Sequence, residues 1–197
     1  IREKFDTQIV IGNLGKYLRL HIDDFKDKSY NVTIAKSIYK KKKKFLCGIS
    51  WKSNAGKDKS CALEELLPLL SLKNIEFVNL QYGDVSEELA LLHKMHGIQI
   101  SEVKDLNLFD NIDGVASLIN ACDFIITTSN INAHLAGILK KDTYLLTAIS
   151  IKKFHYWHSV KGISTWYNSV KIFDQENKGD WSMPIQKCQK LIKDLTC

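Results

Sequence analysis

The stretch DFIITTSNINAHLAG, Asp123 to Gly137, runs from a hydrophobic segment through small polar residues into a segment of helical character carrying His134. Phe124, Ile125 and Ile126 form a short apolar run of the kind buried in a parallel sheet. Ser129 and Asn130 supply the turn and the N-cap, and Asn132 to Ile138 predict a helix whose first amides point back toward the strand end. A helix N-terminus beside an imidazole is a place where an anion binds. Ser or Asn at such a turn also serves simply as a cap, so the stretch alone decides the fold more firmly than the ligand.

The same alternation extends outward on both sides. From Phe45 the chain predicts a strand FLCGIS (Phe45 to Ser50), a polar loop, and a helix through LEELLPLLSL that Pro68 kinks or divides. There follow a strand IEFVNLQ (Ile75 to Gln81), a helix VSEELALLHKM, a short strand GIQI, and a helix through VASLINAC capped by Asp110 or Asp113. After the opening stretch come a strand TYLLTA (Thr143 to Ala148), a long aromatic loop, a short strand VKIF and a closing helix from Ser182 to about Leu195. Short apolar strands alternating with amphipathic helices predict an α/β domain: a Rossmann-like, doubly wound parallel sheet with helices on both faces. This domain spans 45–197, and 1–44, with no sustained period, is a linker or the tail of a preceding domain.

Composition narrows the function classes. The chain has 197 residues, 45% of them hydrophobic and 25% charged, as in a soluble globular domain. No apolar run approaches the roughly 18 residues that span a bilayer. The opening IREKFDTQ has neither an initiator Met nor a signal-peptide pattern, which is expected of a piece of a longer chain. The net charge of +6 rests on lysine, since Arg2 and Arg19 are the only arginines. Nucleic-acid readers lean on Arg for bidentate contacts, and no aromatic platform is interleaved with basic residues, so nucleic acid is not the expected partner. The run Lys40 to Lys44 reads as a solvated linker. Cys47, Cys61, Cys122, Cys188 and Cys197 are scattered and odd in number, which points to a reducing, cytoplasmic setting rather than a disulfide framework. His93 with His96, and His155 with His158, lack a third ligand, and no metal site is expected.

In doubly wound sheets ligands sit beyond the carboxyl ends of the strands. The residues to watch are therefore Ser50 to Lys59, Gln81 to Gly83, and Thr128 to His134. The first loop offers Lys52 and Lys59 to phosphate charge, without the Gly-Lys-Ser or Gly-Lys-Thr that opens the helix of a P-loop. Tyr156, Trp157, Trp166 and Tyr167 in the aromatic loop are read as packing ahead of ligand contact.

Taken in order, GISWKSN, VNLQYGD, DNIDGVASLINACDFIITTSNINAHLAG and WYNSVKIFDQENKGDWS resemble the C-terminal, donor-binding half of GT-B glycosyltransferases. The likeness is closest to bacterial TPR-associated glycosyltransferase domains, which are related to the ADP-heptose:lipopolysaccharide heptosyltransferases and, more distantly, to O-linked N-acetylglucosamine transferase. IGNLGKYLR and DDF resemble the join between the two halves. The resemblance implies one half of a GT-B fold holding a nucleotide-diphosphate sugar as donor substrate, with no further cofactor and no metal. An N-terminal half, and in some proteins TPR repeats, would supply the acceptor site, the acceptor being a glycan, a lipid-linked glycan or a protein. The family's phosphate-neutralising lysine falls on Lys59, or else on Lys52. Its Asp-Thr and His-Leu-Ala-Gly motif falls on Ser129, Asn130, Ile131, Asn132, Ala133 and His134 to Gly137, with helix amides and His134 on phosphate oxygens. Gln81 either contacts the base or ribose or is a solvated turn residue. Ser129 and Asn130 replace the family's Asp and Thr, so a second reading stands beside the first: a non-catalytic module of this fold, acting in protein interaction or as a scaffold in a TPR protein. No catalytic base falls within the chain, and nucleotide binding without sugar transfer is expected of it alone.

Overall fold

The computed structural model describes residues 14–25, 39, 45–54, 57–149 and 155–196. The Lys40 to Lys44 run, Gly56 and Cys197 lie outside them. Eight strands form one sheet: β1 (Phe45–Ser50), β2 (Ile75–Asn79), β3 (Ile100–Ser101), β4 (Phe124–Thr128), β5 (Thr143–Thr147), β6 (Ser159–Val160), β7 (Ile163–Ser164) and β8 (Val170–Asp174). Their order is β3-β2-β1-β4-β5-β8-β7-β6. The pairings from β3 through β8 are parallel, whereas β6, β7 and β8 pair antiparallel. The chain thus winds outward from β1 to β3, returns to the centre, and winds the other way from β4. This is the doubly wound order, and β1 and β4 flank its switch point.

Period-two alternation divides the strand side chains between two helical layers. On one face Cys47, Ile49, Phe124, Ile126, Tyr144 and Leu146 pack with Leu66, Leu69 and Leu70 and with Ile185, Cys188 and Ile192. These come from α2 (Leu67–Leu70) and the turn before it and from α6 (Ser182–Thr196), while Leu92 of α3 (Ser86–His96) joins the same cluster. On the other face Leu46, Val78, Leu80 and Ile125 meet Val115, Leu118 and Ile119 of α4 (Ile112–Ala121) and Ala136 of α5 (Ile131–Ile138). Gly48 points to this second layer, where a Cβ would lie 2.5 Å from Leu80 and 2.8 Å from Ile125, so the central strand needs glycine for the helices to close over it.

Two local expectations are corrected and a third is resolved. Neither Asp110 nor Asp113 caps α4: the Asn111 side chain accepts from the Gly114 amide at 2.8 Å, because it stands one position before the first helical residue. Of the two expectations for Pro68 the division holds: a 3-10 turn over Leu63–Leu66 gives way to α2, with Pro68 in the first turn of α2. The long loop after β5 contains the β6–β7 hairpin, whose connection Lys161-Gly162 has φ of 50° and 77°, as a type I′ turn requires. Upstream, a helical turn α1 (Gly15–Leu18) leads to Phe25, which meets Trp166 edge-on at 5.2 Å, with Arg19 over the indole at 4.2 Å.

Cys47, Cys61, Cys122 and Cys188 are buried thiols. Burial suppresses ionisation of each and raises its pKa, that of Cys122 from 9.0 to about 12, with the nearby Lys141 charge opposing the rise. These four are expected to react with maleimide only as fast as the protein unfolds. The sign of the pH dependence follows: the unfolded thiol ionises first, so the Cys122 contribution to stability is intact below pH 9.0 and is lost as pH rises toward about 12. Alkaline denaturation curves for wild type and Cys122→Ala are expected to converge across that window.

Candidate functional site

The ends of β1, β2 and β4 are tied together by side-chain amides. Gln81 is 1% exposed, and its Oε1 accepts from the backbone amides of Trp51 at 2.9 Å and Lys52 at 2.7 Å. Its Nε2 donates to the Tyr82 carbonyl at 3.1 Å. Gln81 therefore shapes the loop after β1 from behind and is not a solvated turn residue. Asn132, also 1% exposed, donates from Nδ2 to the Leu80 carbonyl at 2.8 Å and to Ser50 Oγ at 3.2 Å. Asn130 caps α5 by accepting from the Asn132 amide at 3.0 Å, and its Nδ2 reaches Ser50 Oγ and the Lys52 carbonyl, each at 3.1 Å. Ser50 Oγ closes the network on Thr127 Oγ1 at 2.7 Å. Buried amides satisfied in this way hold loops in one place and leave little for a ligand.

In front of this network lies a cavity of about 460 Å³ lined by Ser53, Asn54, Lys59, Tyr82, Leu108, Phe109, Ile112, Ser129, Asn130, Ile131 and His134. Its volume lies in the range of ligand sites. Among the described residues no acidic side chain lines it, and Lys59 and His134 are the basic groups on its wall. Lys59 is half-buried, and among the described residues its ammonium has no hydrogen bond or ion pair. Lys52 is placed differently. Its Nζ is bound by Glu88 Oε1, whose other oxygen accepts from Trp51 Nε1 at 2.9 Å, and it lines an adjoining cavity of about 330 Å³ beside Gln81 and Asp84.

Ser129 Oγ accepts from Trp157 Nε1 at 2.8 Å, so its own hydroxyl proton is available to be donated. His134, on the first turn of α5, stacks on Trp157 with centroids 4.5 Å apart and planes at 28°. Tyr156 meets the imidazole edge-on at 5.3 Å, and the Tyr167 hydroxyl lies 3.1 Å from Nδ1. The aromatic loop is packing, as read, but it packs around His134. A peptide N–H remains at the mouth: among the described residues the Ile131 amide has no hydrogen bond, whereas Asn130 takes the Asn132 amide for its cap. The structure thus brings Lys59, Ser129 and His134 to one cavity with the start of α5, and sets Lys52, Gln81, Asn130 and Asn132 beside or behind it.

No helix among the described residues is long and apolar enough to cross a membrane. No protein-family model matches the chain. Over 152 residues it is 32% identical to Protein FlbA of Caulobacter vibrioides, a match covering 75% of this chain and 25% of that protein. The chain therefore spans about a quarter of the length of that relative. Among solved structures it resembles E. coli ADP-heptose LPS heptosyltransferase II, with a TM-score of 0.55 and 17% identity over 79% of this chain and 47% of that one. The chain shares with that enzyme a glycosyltransferase-like, Rossmann-like α/β fold, and its cavity opens where folds of this class bind their ligands.

Proposed function

We propose that this chain is the donor-binding domain of a glycosyltransferase that uses a nucleotide-diphosphate sugar. The observation that carries the reading is the cavity at the switch point, lined by Lys59, Ser129, Ile131 and His134 with no carboxylate among the described residues of its wall. In glycosyl transfer the sugar C1 becomes cationic while the departing diphosphate gains negative charge. Fixed donors aimed at that diphosphate lower the barrier without a metal, which is the role assigned here to Lys59, Ser129 and His134. We assign the reaction to the inverting class, with the acceptor, whether glycan, lipid-linked glycan or protein, and its deprotonating group held by an N-terminal GT-B half. TPR repeats in the same protein fit this arrangement.

One observation favours a second reading, a non-catalytic module for protein interaction. Asn130 spends its amide on the cap and on the loop after β1, and Ser129 stands where the resembling enzymes have Asp. Calorimetry with UDP, ADP, GDP and their sugars separates the two. The donor-site reading predicts binding of one nucleotide family, weakened by Lys59→Ala and His134→Ala. Absence of binding across the panel supports the module instead, and sugar transfer by the chain alone would contradict the assignment of the acceptor site to another domain.

A further inference from the structure

The groups that hold His134 come from far along the chain and meet it with more specificity than packing requires. Tyr167 is nearly buried, and its hydroxyl reaches Nδ1 at 3.1 Å. Its ring lies against α5 at Gly137, where an added Cβ would come within 2.4 to 2.9 Å of three Tyr167 atoms, two of them on the ring. These atoms lie near the Tyr167 backbone, so a larger residue at 137 displaces the whole ring and carries the hydroxyl away from the imidazole. Trp157 stacked on the imidazole and Tyr156 at its edge block rotation of the ring. Gly137 lies one turn after His134, so the two residues of the His-Leu-Ala-Gly stretch serve one arrangement.

We propose that Tyr167 is a positioning residue acting through His134: its hydroxyl donates to Nδ1 and holds the neutral imidazole with its proton on Nε2, a hydrogen-bond donor for an anionic group in the cavity. A phenol is a far stronger acid than a neutral imidazole N–H, and an imine nitrogen is the better acceptor, so the bond runs from Tyr167 to His134. With Nδ1 accepting, the single proton of the neutral ring resides on Nε2. The imidazole then donates to phosphate oxygen without first acquiring a charge. The nature of the anion rests on the diphosphate reading above; the state of the imidazole does not.

The test uses the full chain labelled with 15N-histidine, with the His134 signals identified by their loss in His134→Gln. Long-range proton–nitrogen correlation is expected to show neutral His134 protonated at Nε2, with Nδ1 shifted as a hydrogen-bonded acceptor. Tyr167→Phe, which keeps the ring, is expected to move Nδ1 toward an unbonded imine nitrogen, and Gly137→Ala to reproduce that change. A proton on Nδ1, or an Nδ1 signal indifferent to Tyr167→Phe, overturns the proposal. Calorimetry with inorganic pyrophosphate adds a second readout. Loss of the positioning bond is expected to weaken binding about three- to tenfold in wild type and not at all in His134→Gln. Equal weakening in both backgrounds also overturns the proposal. A His134→Gln variant that binds pyrophosphate like wild type refutes the diphosphate reading, while the nitrogen shifts still decide what Tyr167 does.

Discussion

Trp157→Ala is expected to lower the free energy of unfolding by about 3 to 5 kcal/mol, the usual cost of truncating a buried Trp. The indole is 1% exposed and lies in a cluster with Ala133, Leu145, Tyr167, Val170 and Ile172, so its removal opens a void between β5, β8 and α5. It also removes the donor to Ser129 Oγ and the stacked neighbour of His134. Trp166, half-buried at the rim with Phe25 and Arg19, is expected to cost less when truncated, because the exposed rim can relax. Urea denaturation of the two variants checks the order. Equal losses would mean that the aromatic loop contributes as a generic apolar cover rather than as the packed support of His134.

Lys59→Ala is expected to weaken nucleoside-diphosphate binding about ten- to hundredfold, on the scale of a hydrogen bond to a charged group, while leaving stability nearly unchanged. Among the described residues its ammonium satisfies no acid and no carboxylate lines the cavity to compete for it, so no ion pair between these residues is lost with it. Lys52 gives the contrast. Glu88 holds its ammonium beside the Trp51 indole N–H, and Lys52→Ala is expected to change affinity far less. Calorimetry on both variants in one buffer, repeated at higher salt, measures the difference; the Lys59 contribution shrinks with salt if it is electrostatic. A larger loss in Lys52→Ala would move the phosphate cation to the adjoining cavity.

The strand, turn and helix from Asp123 to Gly137 were legible because each rests on local chemistry: a β-branched apolar run, an Asn cap and a helical period. That helices cover both faces of the sheet was legible from the apolar strands, whereas the division of β1, β4 and β5 side chains between the two layers came with the structure. What escaped the sequence depends on contacts between distant residues. Asn130, Asn132 and Gln81 are polar residues after strands, yet their partners at Ser50, Trp51, Lys52 and Leu80 lie 29 to 82 positions away and turn them into struts. The fit of Tyr167 against Gly137 is equally nonlocal. The hairpin at Lys161-Gly162 carried a weaker signal, since its strands are two residues each. The Asn111 cap was within reach, because Asn is as good a cap as Asp and stands immediately before Ile112, the first helical residue.

The central claim, that the cavity between the ends of β1 and β4 holds the diphosphate of the donor, is tested most directly by mapping backbone amide shifts of the 15N-labelled chain during titration with ADP, UDP and GDP. The account predicts that one of these shifts the amides of Lys59, Ser129 and Ile131 together and leaves the β2–β3 edge at Gly97 to Ser101 unmoved. Shifts centred on that edge, or on the β6–β7 hairpin, would contradict it.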